Sequence, residues 1–230
     1  MNKMVLVVLL TLCPMFTFGQ NWSVGAGVGW APYWDTLKES VDSAWVASET
    51  SSPAVLEGQV YVDATYFQAS VGYIGQGAFY QVKTTDGSGY EDTIIKKNGF
   101  SGSWISYSLL LKYPFKAGKT MLFPLLGAEF DQNLTYTDAG GNDFKSALTT
   151  SAQDDLNNLW LRAGAGMDVP LGSVVYLRFS VLGNFKLLTQ TEKDYVKSLA
   201  DATGYTVDLK HIRLNTIVSL GMKLGAPAAR

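Results

Sequence analysis

The 230-residue sequence predicts an all-β chain: an eight-stranded antiparallel up-and-down transmembrane β-barrel. Three observations predict it. Eight segments alternate apolar residues with small or polar ones at a period of two, the mark of strands whose faces meet different surroundings. Long and short connections alternate strictly, which gathers every long loop at one end of a meander. The face that is not apolar mixes glycines with charges, a composition suited to a crowded interior rather than to bulk water.

The first segment, Trp22 to Trp30 (WSVGAGVGW), sets Trp22, Val24, Ala26, Val28 and Trp30 against Ser23, Gly25, Gly27 and Gly29. The second starts at Gln59 and the third runs from Tyr66 to Tyr80, with Asp63-Ala-Thr65 as the turn between them. The fourth, Phe100 to Tyr113, stops at Pro114 and turns through Lys116-Ala-Gly-Lys119 into the fifth, Thr120 to Thr137. The sixth, Leu156 to Val169, turns at Pro170-Leu-Gly-Ser173 into the seventh, Val174 to Gln190; Val207 to Leu224 is the eighth. Connections after the second, fourth and sixth are roughly two to five residues, and the others about 15 to 26. Two long connections carry helix signals. Thr191-Glu-Lys-Asp194 resembles a capping box with Gly204 as a stop, and Asp35 is placed to cap a helix over Thr36 to Trp45. Acidic residues outnumber basic ones in the long connections, so that end is expected to be acidic and the body basic.

Residues 1–19 read as a cleaved secretory signal: Lys3, an apolar run from Met4 to Leu12, then small residues at Thr17 and Gly19. A lipoprotein signal ending at Cys13 is the rival, against which Leu12 stands where a small residue is expected. Cleavage after Gly19 removes the single cysteine and leaves residues 20–230 as one barrel domain without thiols. A net charge of -2 excludes the basic footprint of a nucleic-acid binder.

Volume decides which face points in. Eight strands enclose an interior only just wide enough to be filled by side chains. The aliphatic and aromatic lists are too bulky for it, whereas long charged chains opposite glycines fit. Glu129, Asp131, Arg162, Asp168, Arg178, Lys186, His211 and Arg213 are therefore expected to form a lumen charge network, and Gly25, Gly27, Gly164 and Gly166 to border any passage. The apolar list then faces lipid, where a closed barrel satisfies its own backbone. Eight steps from Trp22 to Trp30 span roughly 26 Å along a strand and about 20 Å once tilted. Trp22, Trp30, Tyr113 and Tyr136 are accordingly expected in the aromatic girdles.

Signal peptide, eight amphipathic strands, short turns at one end and long acidic loops at the other resemble the small bacterial outer-membrane barrels of the OmpA, OmpX and OmpW type. The resemblance covers residues 20 to 225 and is one of pattern rather than of a signature motif. Such barrels commonly end on an aromatic residue, whereas this chain ends LGAPAAR. The resemblance implies an outer-membrane location, the lipid bilayer as partner, a monomer, and a surface ligand or small solute.

Little in the sequence points to chemistry. His211 is the only histidine and belongs to the polar face of the last segment. Lipid A deacylases, also small barrels, carry a His-x-Ser spacing; here His211-Ile212-Arg213 breaks it, and a structural tie to Glu129 or Asp131 is expected instead. One histidine and scattered acids predict no transition-metal site, and GAGVG at 25–29 lacks the spacing of a phosphate cradle, so no cofactor is expected. The expected function is non-enzymatic, in surface interaction or envelope integrity. The alternatives are an OmpW-like conduit for small apolar solutes, a lipid-modifying rim enzyme built on His211, and a soluble lipocalin-type barrel.

Overall fold

The computed structural model describes residues 22–41, 44–52, 55–76, 80–86, 91–96, 101–138 and 140–224. The expected leader and the final residues 225–230 lie outside them. Among the described residues, thirteen strands form one antiparallel sheet. Eight of them close a barrel in the order β1 (Trp22–Trp30), β4 (Val55–Asp63), β5 (Phe67–Gln76), β8 (Ser101–Lys112), β10 (Thr120–Thr137), β11 (Asn158–Pro170), β12 (Val175–Leu187) and β13 (Thr206–Leu224). β13 pairs back onto β1, from Trp22 opposite Leu224 to Trp30 opposite Thr216, so no barrel edge is left. That closure is what the period-two pattern required.

The short turns are as the sequence indicated. Ala64–Tyr66 joins β4 to β5. β9 (Phe115–Ala117) pairs with the start of β10 across a tight hairpin, where Gly118 takes φ +64°. The long connections differ from expectation. The stretch after β1 is a hairpin, β2 (Tyr33–Val41) with β3 (Ala44–Ser52), and no helix follows Asp35. β13 is long enough to stand above the barrel, and its first half offers an unpaired edge. β2 pairs with it from Ser40 opposite Thr206 to Tyr33 opposite Arg213. β1 and β2 thus run along β13 in one unbroken register across Ala31-Pro32, interrupted only where Pro32 lacks an N–H. β6 (Tyr80–Asp86) and β7 (Glu91–Lys96) extend this upper sheet from β3.

Between β10 and β11 lie a 3-10 turn, Lys145–Ala147, and the short helix α1 (Thr150–Asp154). Helix α2 (Gln190–Thr203) joins β12 to β13. Its box is two residues earlier than the sequence suggested: Thr189 Oγ1 accepts from the Glu192 N–H at 3.2 Å, and Glu192 returns the bond to the Thr189 N–H at 2.8 Å. Gly204 stops it in the left-handed region at φ +69°.

Candidate functional site: a filled lumen and its mouth

Inward-facing side chains stack in layers along the barrel axis. At the short-turn end Arg178 is the centre. Its Nε lies 2.6 Å and one terminal nitrogen 2.7 Å from the Asp168 carboxylate; that second nitrogen also reaches Asp63 at 2.7 Å, and the other meets Gln68 at 2.8 Å. Lys112 bridges to both Asp63 oxygens at 2.6 and 2.7 Å. The rings of Tyr61, Phe123 and Tyr176 flank the guanidinium at 4.8, 4.9 and 5.2 Å. Above this knot is a layer the glycine-and-charge pattern did not foresee: Leu110, Phe123, Leu125, Leu182 and Ile217 pack together inside.

A second charged layer follows. Arg162 and Arg213 both pair with Glu129, and Arg213 also reaches Asp131 at 2.8 Å. Trp160 donates its indole N–H to Asp131 at 2.7 Å, with Arg213 over its ring at 4.6 Å. Asn215 ties Arg213, Asn184 and Glu57 into the same layer. Removing one partner of such a buried pair leaves a charge without compensation.

The eight residues expected to form one lumen network therefore fall into three places. Asp168 and Arg178 belong to the lower knot, and Glu129, Asp131, Arg162 and Arg213 to the upper layer. Lys186 and His211 stand at the mouth. His211 meets neither Glu129 nor Asp131, because β13 carries it above the barrel rim, opposite Asp35 of β2. Its Nδ1 pairs with Asp35, which also accepts from Tyr33, and its Nε2 faces Glu192 Oε1 at 3.2 Å, an ion-pair distance without hydrogen-bond alignment. Lys186 holds the same Glu192 oxygen at 2.7 Å. Burial pulls the imidazole pKa down, but the two carboxylates outweigh it and the net shift is upward. Burial likewise pushes Glu192 up, yet the imidazole, Lys186 and the Thr189 N–H hold it well below the usual carboxylate range. Both ring nitrogens face carboxylates rather than a hydroxyl nucleophile.

Each of the four passage glycines is closely packed. The Tyr61 ring covers Gly25 and the Phe123 ring covers Gly166, each 2.3–2.4 Å from where a Cβ would stand. Ser219 crowds Gly27, and the backbone of β12 crowds Gly164. Of the expected girdle, Trp30 and Tyr113 are exposed at 50% and 69%, and Trp22 is half-buried at the first position of β1. Tyr113 packs beside Tyr66. Tyr136 is turned inward instead, since a bulge between Asn133 and Thr135 exchanges the faces of β10 beyond it. It lines a cavity of about 320 Å³ at the mouth with Tyr33, Trp104 and Trp160.

The outer wall settles the solvent. Val28, Leu56, Leu126 and Leu220 are 55–72% exposed on the barrel's outside, while Arg162 and Arg178 are 1% exposed within. Among the described residues no helix is long and apolar enough to cross a membrane; a closed barrel with an apolar outer wall pairs its own backbone and is suited to lipid. The chain is a closed eight-stranded antiparallel β-barrel with an apolar outer wall and a charged interior. No family model and no curated protein matches it. Similar solved structures include Neisserial surface protein A, at 12% identity and TM-score 0.42, covering 88% of this chain and 97% of that one. Ail of Yersinia pestis is 13% identical with TM-score 0.33, over 90% and 100% of the two chains. OprG of Pseudomonas aeruginosa is 11% identical with TM-score 0.38, over 90% and 98%. In this barrel the residues that pattern alone did not single out as partners are Asp35, Glu57, Asp63, Gln68, Lys112 and Glu192. Only their inward parity could have pointed to Asp63, Gln68 and Lys112.

Proposed function

We propose that the protein is a non-enzymatic surface barrel. The filled lumen makes it a stiff anchor, and the upper sheet, helix α2 and the mouth form an acidic recognition surface outside the cell. The outward placing of the long-loop end follows the general rule that such barrels keep short turns on the periplasmic side. The observation that carries the proposal is the Arg178 knot, where two carboxylates, an amide and three rings occupy the lumen's cross-section.

A gated conduit is the second reading, favoured by cavities at both mouths, about 320 Å³ above and about 560 Å³ below, with the knot and the apolar layer between them. Planar-bilayer recording separates the two. The anchor predicts no conductance steps from the native barrel, and steps appearing in a Phe123→Ala/Arg178→Ala double variant show that the assay detects an opened lumen. Regular steps from the native barrel would establish the conduit instead.

A further inference from the structure

We infer that the cavity at the long-loop mouth is a binding site for a neutral saccharide of one or two pyranose rings. The site itself stands on the cavity's chemistry, and only the source of the sugar rests on the outward orientation proposed above. At about 320 Å³ it lies at the lower end of the roughly 300–1,000 Å³ usual for small-ligand sites. Tyr33, Trp104, Tyr136 and Trp160 supply aromatic wall. Trp104 is a fixed platform: its Nε1 donates to the Leu156 carbonyl at 3.0 Å, and its ring lies so close over Gly102 that a Cβ there would stand 2.4 Å from it.

Polar atoms stand between the rings. Asp131 and Ser52 are each 2% exposed and line the cavity, and among the described residues Asp131 Oδ1 and Ser52 Oγ have no hydrogen-bond partner. Buried polar atoms are costly to leave unsatisfied. The charges decide the ligand class, because they are already engaged. Asp35 pairs with His211, Asp131 with Arg213 and Lys186 with Glu192, while Asp155 accepts from Thr191 at 2.7 Å. Apart from Asp155, whose recorded partner is a hydroxyl, an ionic ligand would find its counter-charge taken and the opposite sign beside it. A sugar hydroxyl both donates and accepts, so it satisfies the carboxylate oxygen and the serine alike. Its C–H faces pack on indole and phenol rings.

The test uses the barrel in a polyoxyethylene detergent, since glucoside and maltoside detergents present the ligand themselves. Glucose, galactose, N-acetylglucosamine, lactose and maltose are titrated while tryptophan fluorescence is followed. Saturable change with at least one sugar is expected, weakened at least tenfold in Trp104→Ala and in Ser52→Ala, the latter removing one atom and keeping the fold. No saturable response to any of them, from a barrel whose heat-modifiable migration shows it folded, would overturn the site. So would undiminished binding in both variants, or saturation by tetramethylammonium but not by sugars. Binding in detergent with none on intact cells would keep the site and overturn the outward orientation.

Discussion

Arg178 illustrates how a buried cation becomes a structural centre. Its nitrogens reach Asp63, Asp168 and Gln68, and the rings of Tyr61, Phe123 and Tyr176 surround it. Arg178→Ala leaves Asp168 without its cation and Asp63 with Lys112 alone. The expected cost is about 3–5 kcal/mol, the usual result of breaking a buried pair from one side. Urea unfolding in vesicles measures it, and the loss should shrink when Asp168→Asn is added. A cost under about 1 kcal/mol, the range of a surface pair, would mean that the knot is hydrated. That Arg178 and Arg162 face inward was legible in the alternation of β12 and β11. Their partners were not, because Arg178 meets Asp63 from the far side of the barrel, 115 residues away in the chain. Such pairings depend on the stagger of the strands, which local patterning does not encode. The inner leucine layer escaped for a different reason. Stretches such as Leu109-Leu-Leu111 and Leu125-Leu126 are apolar at both parities, so alternation says nothing about them.

Among the elements, helix α2 is the one whose docking titrates. Its Glu192 is held by Lys186 from β12 and faced by His211 from β13, which Asp35 of β2 holds on the other side. The raised imidazole pKa means that its contribution is complete below about pH 6.5 and fades as pH climbs through the folded value. The lowered Glu192 pKa means that its contribution is complete above about pH 4.3 and is lost only as pH falls through a much lower folded value. Docking should therefore be firmest between about pH 4.5 and 6.5 and loosen above neutrality, leaving Lys186 to hold alone. A fluorophore on Lys197→Cys reports this as anisotropy falling on the alkaline side, and His211→Gln should flatten that profile. A profile unchanged by His211→Gln would assign the docking to Lys186. The helix was legible from its caps, within two residues. The β2–β3 hairpin was not, since Asp35 reads locally as a helix cap and only the protruding edge of β13 makes it a strand residue. Propensity yielded to a non-local partner.

For the whole molecule, closure and the inverted distribution of apolar and charged residues govern behaviour. The barrel should stay with membranes through osmotic shock, leave them in detergent, and migrate faster unheated than boiled on a gel. Release into the soluble fraction by osmotic shock alone would contradict the lipid-facing wall. The fold class was legible because a period of two, repeated eight times between alternating long and short connections, leaves few other architectures. The site was only half legible: inward parity named Asp131, Lys186 and Arg213, while Asp35, Glu192 and the mouth cavity itself depend on β2, helix α2 and the bulge in β10, whose placing local pattern does not show.

The unbroken register of β1 and β2 along β13 has a mechanical consequence. Both chain ends of the barrel meet at this seam, and the same ladder continues into the upper sheet. A pull on that sheet runs along the strands, so the ladder's hydrogen bonds are loaded together in shear rather than opened one after another. Whatever grips the upper sheet pulls on a seam built to share the force.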